Sequence, residues 1–284
     1  MALRKASARF ILHSVIIISL IIWIVPTLGL LITSFRPAEE VNSTGWWTVF
    51  SSPLDFTRYT LDNYRQVIKA GGMGIAFKNS LIITVFGTLF PVLIAAFAAF
   101  GLSRLYFRGR SFIYALIVSL LVVPLQLTFI PILKLYNILN LSGTFTGLWL
   151  AHTAYGLPLA VYILHNFFQS LPDDLFEAAF IDGASTWTVF VRLALPLSVP
   201  ALASLFVFQF LWVWNDLLVA LIYLGGSGQV APLTMRLTSL VGSHGQDWHL
   251  LTSAAFISML MPLVIFFSLQ RYFVKGILAG SVKG

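Results

Sequence analysis

Six stretches of this chain, residues 10–33, 81–102, 111–133, 144–164, 201–224 and 250–269, hold a single Asp, Glu, Lys or Arg between them, Asp216. Each is close to the ~20 apolar residues that a helix needs to cross a hydrocarbon core about 30 Å thick. A backbone in lipid has to satisfy its own hydrogen bonds, so a run of that length must become a helix. Composition agrees: 58% of the 284 residues are hydrophobic and 10% are charged. A soluble domain carries about 25% charged residues, so this chain cannot clothe a globular surface. The expected fold class is an all-α membrane protein with six transmembrane helices in one transmembrane domain over residues 1–284.

The first run follows Arg4, Lys5 and Arg9. It is too long for a signal-peptide core, and no small-residue cleavage site follows it, so it reads as an uncleaved span. Six spans place both termini on one side. With the termini inside, ten of the 17 Lys and Arg fall on inner segments and seven on outer ones. The first residues and the short loop holding Arg104, Arg108 and Arg110 weigh most, because long loops count for little in setting orientation. Residues 34–78 carry Trp46, Trp47, Tyr59 and Tyr64, side chains suited to a membrane interface. The basic residues lie between the apolar runs, so the net charge of +7 gives no sign of a nucleic-acid partner. The absence of cysteine excludes disulfides and thiolate metal sites.

Residues 170–200 form a polar island, SLPDDLFEAAFIDGASTWTVFVRLALPLSVP. They read as two short helices outside the bilayer. Ser170 is placed to cap the first, with Pro172 in its first turn. Leu175 with Ala179 and Phe176 with Phe180 fall at i, i+4, while Asp173, Asp174 and Glu177 supply a polar side. Gly183 is placed to end this helix, since glycine enters the left-handed conformation without steric penalty. Ser185 or Thr186 can cap the second, and Pro196 and Pro200 mark the return to apolar sequence.

The spacing within this island resembles the EAA loop of bacterial ABC-importer permeases. Glu177-Ala178-Ala179 is followed after three residues by Gly183, and after nine more by Leu193, one residue and Leu195-Pro196. Leu193 replaces the family's usual isoleucine. In that family the loop is a cytoplasmic coupling helix that docks in a cleft of the ATPase subunit. The resemblance therefore implies an ATPase-coupling role for Glu177, Ala178, Ala179, Asp182 and Gly183, within a type I importer permease fold. It also implies a second, different permease subunit, an ATPase dimer, an extracytoplasmic sugar-binding protein, and a bacterial inner membrane location with cytoplasmic termini. The tail, QRYFVKGILAGSVKG, is similar to the ending of one maltose-type permease subunit, which implies contact of Lys283 and Gly284 with the ATPase. A basic membrane-surface anchor is the alternative for the tail.

This chain has no G-x-x-x-x-G-K-[ST] and no Gly-Lys pair, so it has no Walker-type cradle for ATP phosphates. It is expected to bind no cofactor itself; ATP and Mg belong to the partner ATPase, and the chain is not expected to be an enzyme. Within the fifth run, Gln209, Trp212, Asn215 and Asp216 stand together in QFLWVWND. Indole faces and amide or carboxylate acceptors suit a neutral sugar, and the W-N-D run looks like one common in sugar-importer permeases. An interhelical clamp or gate built from the same residues, or an aromatic interface belt, is the alternative. Gln126 and Thr128, between Pro124 and Pro131, are weaker pathway candidates, and Tyr155, Gly156 and Pro158 read as packing.

The loop at 225–249 is outer in this topology. By resemblance to maltose-type permeases it offers Gln229, Arg236 and Gln246 to the binding protein. Its Gly225-Gly226-Ser227-Gly228 matches the G-x-S-G of intramembrane proteases, but that chemistry needs a histidine base on a neighbouring span, and His244 and His249 lie in the same loop instead. His244, Asp247 and His249 fit no strong metal-ligand spacing, and His13, His152 and His165 read as isolated packing residues. The tail and QDWHLL, starting at Gln246, look most like permeases for α-glucosides and related glucosyl solutes. A secondary transporter is disfavoured, because such proteins use several intramembrane charges and repeated halves.

Overall fold

In a computed structural model of the protein, the described residues are 2–69, 72–226, 228–240 and 247–281, with side chains described from residue 9 to residue 271. All regular structure among them is helical. In chain order the helices are α1 (Ala2–Ser34), α2 (Ala38–Ser43), α3 (Asp62–Lys69), α4 (Met73–Arg104), α5 (Arg110–Ser119), α6 (Phe129–Ile138), α7 (Phe145–Ser170), α8 (Asp173–Ile181), α9 (Thr186–Val189), α10 (Leu195–Leu197), α11 (Val199–Trp214), α12 (Leu218–Leu224), α13 (Leu233–Leu240) and α14 (Trp248–Ser281). Short 3-10 turns and one π turn link several of these.

By length and apolarity, Arg9–Ser34, Met73–Arg104, Phe145–Ser170 and Trp248–Arg271 can each cross a membrane. Two further segments are bent pairs, and counting each as one span gives six. The run expected at 111–133 is one of these. It stops at Val123, whose backbone is extended (φ −76°, ψ 116°), and it resumes after Pro124. Its two arms, Arg110–Val122 and Leu125–Ile138, meet at 95°. Proline has no N–H to donate and pushes the residue before it out of the helical region, which accounts for the break. The other bent pair is Thr186–Leu197 with Val199–Trp214, whose arms meet at 72°. The run expected at 201–224 is itself interrupted. Helix α11 ends at Trp214 and α12 begins at Leu218, with Asn215 and Asp216 between. The other helices extend a few residues past the expected runs at one or both ends, into polar flanks.

The chain forms two compact units. The first comprises residues 1–74 and 236–259. Its polar centre is Arg36, whose side chain is 1% exposed. The guanidinium donates to the carbonyls of Thr44 (3.2 Å) and Glu40 (3.1 Å), to the Thr44 hydroxyl and to the Glu40 carboxylate (3.4 Å). Asn63 donates to the carbonyls of Ser34 and Arg36, and the Ser253 hydroxyl donates to the Ser34 carbonyl at 3.0 Å. These bonds satisfy the end of α1, where carbonyls have no helical partner.

The second unit comprises residues 75–235 and 260–284. Its helices approach through small residues. Ala95, Ala96 and Ala99 of α4, Ala160 of α7 and Ala201 of α11 are buried in one cluster with Leu164, Phe168, Phe176 and Phe190. Small side chains let helix backbones pack closely where lipid removes the usual hydrophobic drive.

Candidate functional site

The polar island folds as two short helices joined by a tight turn, but it starts later than its sequence suggests. Ser170 is the last residue of α7, and Pro172 occupies the N-cap of α8 without a side-chain cap bond. Proline fixes its own φ at −59° here and delivers the chain into the helix. The other end agrees with expectation. Gly183 has φ +79°. Its N–H donates to the Phe180 carbonyl, and the Ala184 N–H donates to the Ala179 carbonyl, each at 3.0 Å. This pair of bonds is a Schellman motif, which needs a left-handed residue at the position of Gly183. Ser185, rather than Thr186, caps the following helix by accepting from the Thr188 N–H at 3.2 Å.

Of the apolar residues expected to face inward on α8, only Phe176 is buried. Leu175, Phe180 and Ile181 are exposed, Ile181 by 85%. Glu177, Ala178, Asp182 and Gly183 are exposed with them, and Ala179 is half-buried. The five residues of the EAA-like segment thus share one short helix and its C-terminal turn, amid apolar side chains with no cover. Beside it lies a cavity of about 450 Å³, reached from Arg104, Asp173, Phe176, Glu177 and Phe180. Farther on, Phe190–Ala194 forms a π turn, directly before Leu195-Pro196.

Sequence reasoning missed Arg104, which it used only as a topological charge. Its guanidinium donates to the Phe168 and Leu171 carbonyls, pairs with Asp173, and lies over the ring of Phe176. The Arg-rich loop gave no signal of this, because its partners lie 64 to 69 residues away.

A second polar group gathers around His152 in the other half of this unit. Gln209 is buried and donates to the Gly87 carbonyl at 3.2 Å, and it lies 3.5 Å from the His152 carbonyl. The His152 ring stands edge-on to Trp212, with centroids 5.6 Å apart, and its Nε2 is 4.0 Å from the Asp216 carboxylate. Asp216 itself accepts from the N–H groups of Val219 (3.3 Å) and Ala220 (3.1 Å). It therefore caps the first turn of α12, which reopens the helix after the break at Asn215. Gln209 thus bonds across to the helix of Gly87, and Asp216 bonds the start of α12. Trp212 and Asn215 are exposed. His152, read as isolated from sequence, is the hub.

Gln126 is exposed on the 3-10 turn after Pro124. Its neighbour Thr128 bonds the Tyr155 hydroxyl at 2.8 Å, which in turn bonds the Tyr223 hydroxyl at 2.6 Å. Gln229 is exposed, and its carbonyl accepts from Asn79 at 2.8 Å. Arg236 is half-buried on α13. Gln246, Lys283 and Gly284, like Ser227 and His244, lie outside the described residues. Among the described residues no cluster of His, Asp and Glu could hold a metal ion.

Comparison with known proteins adds an independent line. Residues 91–278 match the family described as binding-protein-dependent transport system inner membrane component. The osmoprotective compounds uptake permease protein GgtD of Synechocystis sp. is 58% identical, over 96% of this chain and 91% of that protein. The alpha-glucoside transport system permease protein AglG of Rhizobium meliloti is 38% identical, over 99% of each. The crystal structure of a bacterial ABC transporter involved in the import of the acidic polysaccharide alginate superposes with a TM-score of 0.77 at 20% identity, covering 93% of this chain and 95% of that one.

Proposed function

Because this chain belongs to the family of binding-protein-dependent transport system inner membrane components, we propose that it is one of two permease subunits in an ATP-driven importer of a neutral glucosyl solute. The second permease, an ATPase dimer that holds ATP and Mg, and an extracytoplasmic binding protein complete the complex. This permease, with six spans and both termini in the cytoplasm, forms half of the pathway. The chain itself hydrolyses nothing.

The observation that carries this reading is α8: an exposed helix with Leu175, Phe180 and Ile181 uncovered around Glu177, closed by the Gly183 turn. A partner cleft that covers this helix gains its apolar area, at about 25 cal/mol per Å². Glu177 supplies the directed polar contact, Ala178 and Ala179 allow close approach, and the fixed turn at Gly183 keeps the helix from unwinding under load. Closure of the ATPase dimer on ATP then displaces α8, and the spans rock so that the pathway opens outward to receive solute from the docked binding protein. Hydrolysis resets it inward. The class of cargo is supported by two relatives, named for osmoprotective compounds and for alpha-glucosides. It is further supported by the lack of any fixed cation within the apolar runs that could hold an anionic solute.

The test is ATP hydrolysis by the reconstituted complex in vesicles, with its binding protein and a panel of α-glucosides and amino acids. Stimulation by an α-glucoside that disappears in Glu177→Ala supports class and cargo together. Stimulation by an amino acid alone would overturn the cargo, and unaltered coupling in Glu177→Ala would overturn the role of α8.

A further inference from the structure

We propose that Arg104 is a positioning residue that makes the end of α4 move with α8, so that α4 takes part in the coupling stroke. The inference rests on the reading of α8 as the ATPase contact. Covalent connection ties α8 to α7 before it and to α9 after it. Helix α4 has no such tie: it ends at Arg104, 69 residues before Asp173. The guanidinium adds a directed polar link to the apolar packing of α4 against Phe168 and Phe176. Its Nε donates to the Phe168 carbonyl at 3.1 Å and one Nη donates to the Leu171 carbonyl at 2.7 Å, while the other pairs with the Asp173 carboxylate. The plane of the group lies 4.1 Å from the centre of the Phe176 ring.

Each contact falls on a different part of one elbow. Phe168 and Leu171 present carbonyls at the C-terminal end of α7, where helix carbonyls lack partners and the dipole favours a cation. Asp173 stands in the first turn of α8, and Phe176 is the single α8 side chain buried in the unit. The Arg104 side chain is 10% exposed although its acidic partner is 79% exposed, so the strut is held inside the elbow and is not a surface pair. A planar fork with five donors can hold two carbonyls and a carboxylate at once; a lysine ammonium on a flexible stem cannot fix that angle. A cap alone would only stabilise the α7 end. A strut also fixes the distance between α4 and α8.

Cysteine is absent from the chain, so spin labels can be placed by Arg108→Cys, just past α4, and Asp174→Cys, on α8, both exposed sites. In the complete complex with cysteine-free partners, the two labels should give one narrow distance that is the same without nucleotide and with ATP and vanadate. In Arg104→Lys the distance should shift with nucleotide. Stimulation of hydrolysis by the binding protein with maltose, trehalose and sucrose should then fall about fivefold, the lower end of typical coupling between sites. Asp173→Asn, which keeps the carbonyl bonds, should fall between the two. A distance that stays fixed in Arg104→Lys, with stimulation retained while Glu177→Ala abolishes it, would overturn the strut and leave the role of α8 standing. A merely lower yield of assembled Arg104→Lys complex with a fixed distance would do the same. Retained stimulation in Glu177→Ala would overturn the role of α8 and the strut with it.

Discussion

The amide of Gln209 occupies the space that a side chain at Gly156 would fill: a Cβ built on Gly156 falls 2.5 Å from Nε2 and 2.6 Å from Oε1. The same nitrogen donates to Gly87, so α4, α7 and α11 meet at one side chain. Gly156→Ala should therefore displace a buried amide from its acceptor, lowering stability by about 1–3 kcal/mol. Thermal melting of the detergent-purified complex measures it. In a Gln209→Ala background the same substitution should be milder, by about 1 kcal/mol of coupling. Additive losses would show that the two residues do not share this space.

At Gly183 the restriction is in the backbone alone, since no atom lies within 4 Å of an added Cβ. A left-handed conformation costs an ordinary L-residue about 1–2 kcal/mol, and asparagine less. Coupled transport should thus fall in the order Gly, Asn, Ala, Val at this position, with amide exchange at Ala184 rising in the same order. Equal loss for Asn and Val would point to a steric contact with the partner instead.

Asp216 caps α12 with both oxygens. Asp216→Asn keeps one acceptor and should alter melting little, whereas Asp216→Ala should destabilise by about 1 kcal/mol. Neither should change the apparent KM for solute in vesicle uptake. A raised KM in Asp216→Asn at unchanged melting would make this residue a solute contact.

Arg36 is buried and holds the turn after α1 through Thr44 and Glu40. Arg36→Ala leaves the Thr44 carbonyl without its donor, while the Glu40 carbonyl still accepts from the Thr44 N–H at 2.9 Å, and should cost about 1–3 kcal/mol. Limited proteolysis between residues 36 and 60 is the direct readout. Arg65→Ala, whose pair with Asp62 is exposed on both sides, should have almost no effect.

Much of this fold is legible in the sequence because lipid leaves few alternatives. Long apolar runs had to be helices, and the polar island marks α8, its Gly183 stop and a restart at Ser185 or Thr186. What hydropathy alone could not reveal were the breaks. Val123-Pro124 and Asn215-Asp216 sit inside runs that stay apolar, so their averages hide them, although proline and an Asn-Asp pair are themselves signals of interruption. Partners distant in sequence were equally hidden. Arg104 reads as a charge that orients the chain, and nothing near it announces carbonyls more than sixty residues on. For Asp216 the composition allows a solute ligand or a clamp, and it gives no sign that the carboxylate accepts from the N–H groups of Val219 and Ala220.

The π turn at Phe190–Ala194 fixes an azimuth. A wide turn of this kind holds one more residue than an α-helical turn, and each α-helical residue advances by about 100°. Deleting a single residue there would convert the turn to regular helix and leave everything beyond it close to its present phase with α9, because the wide turn has already absorbed the extra residue. Gln209 would then still point at Gly87. A one-residue deletion within Phe190–Ala194 should therefore be far milder than one inside Val199–Trp214, where no wide turn absorbs the ~100° that a lost residue takes away.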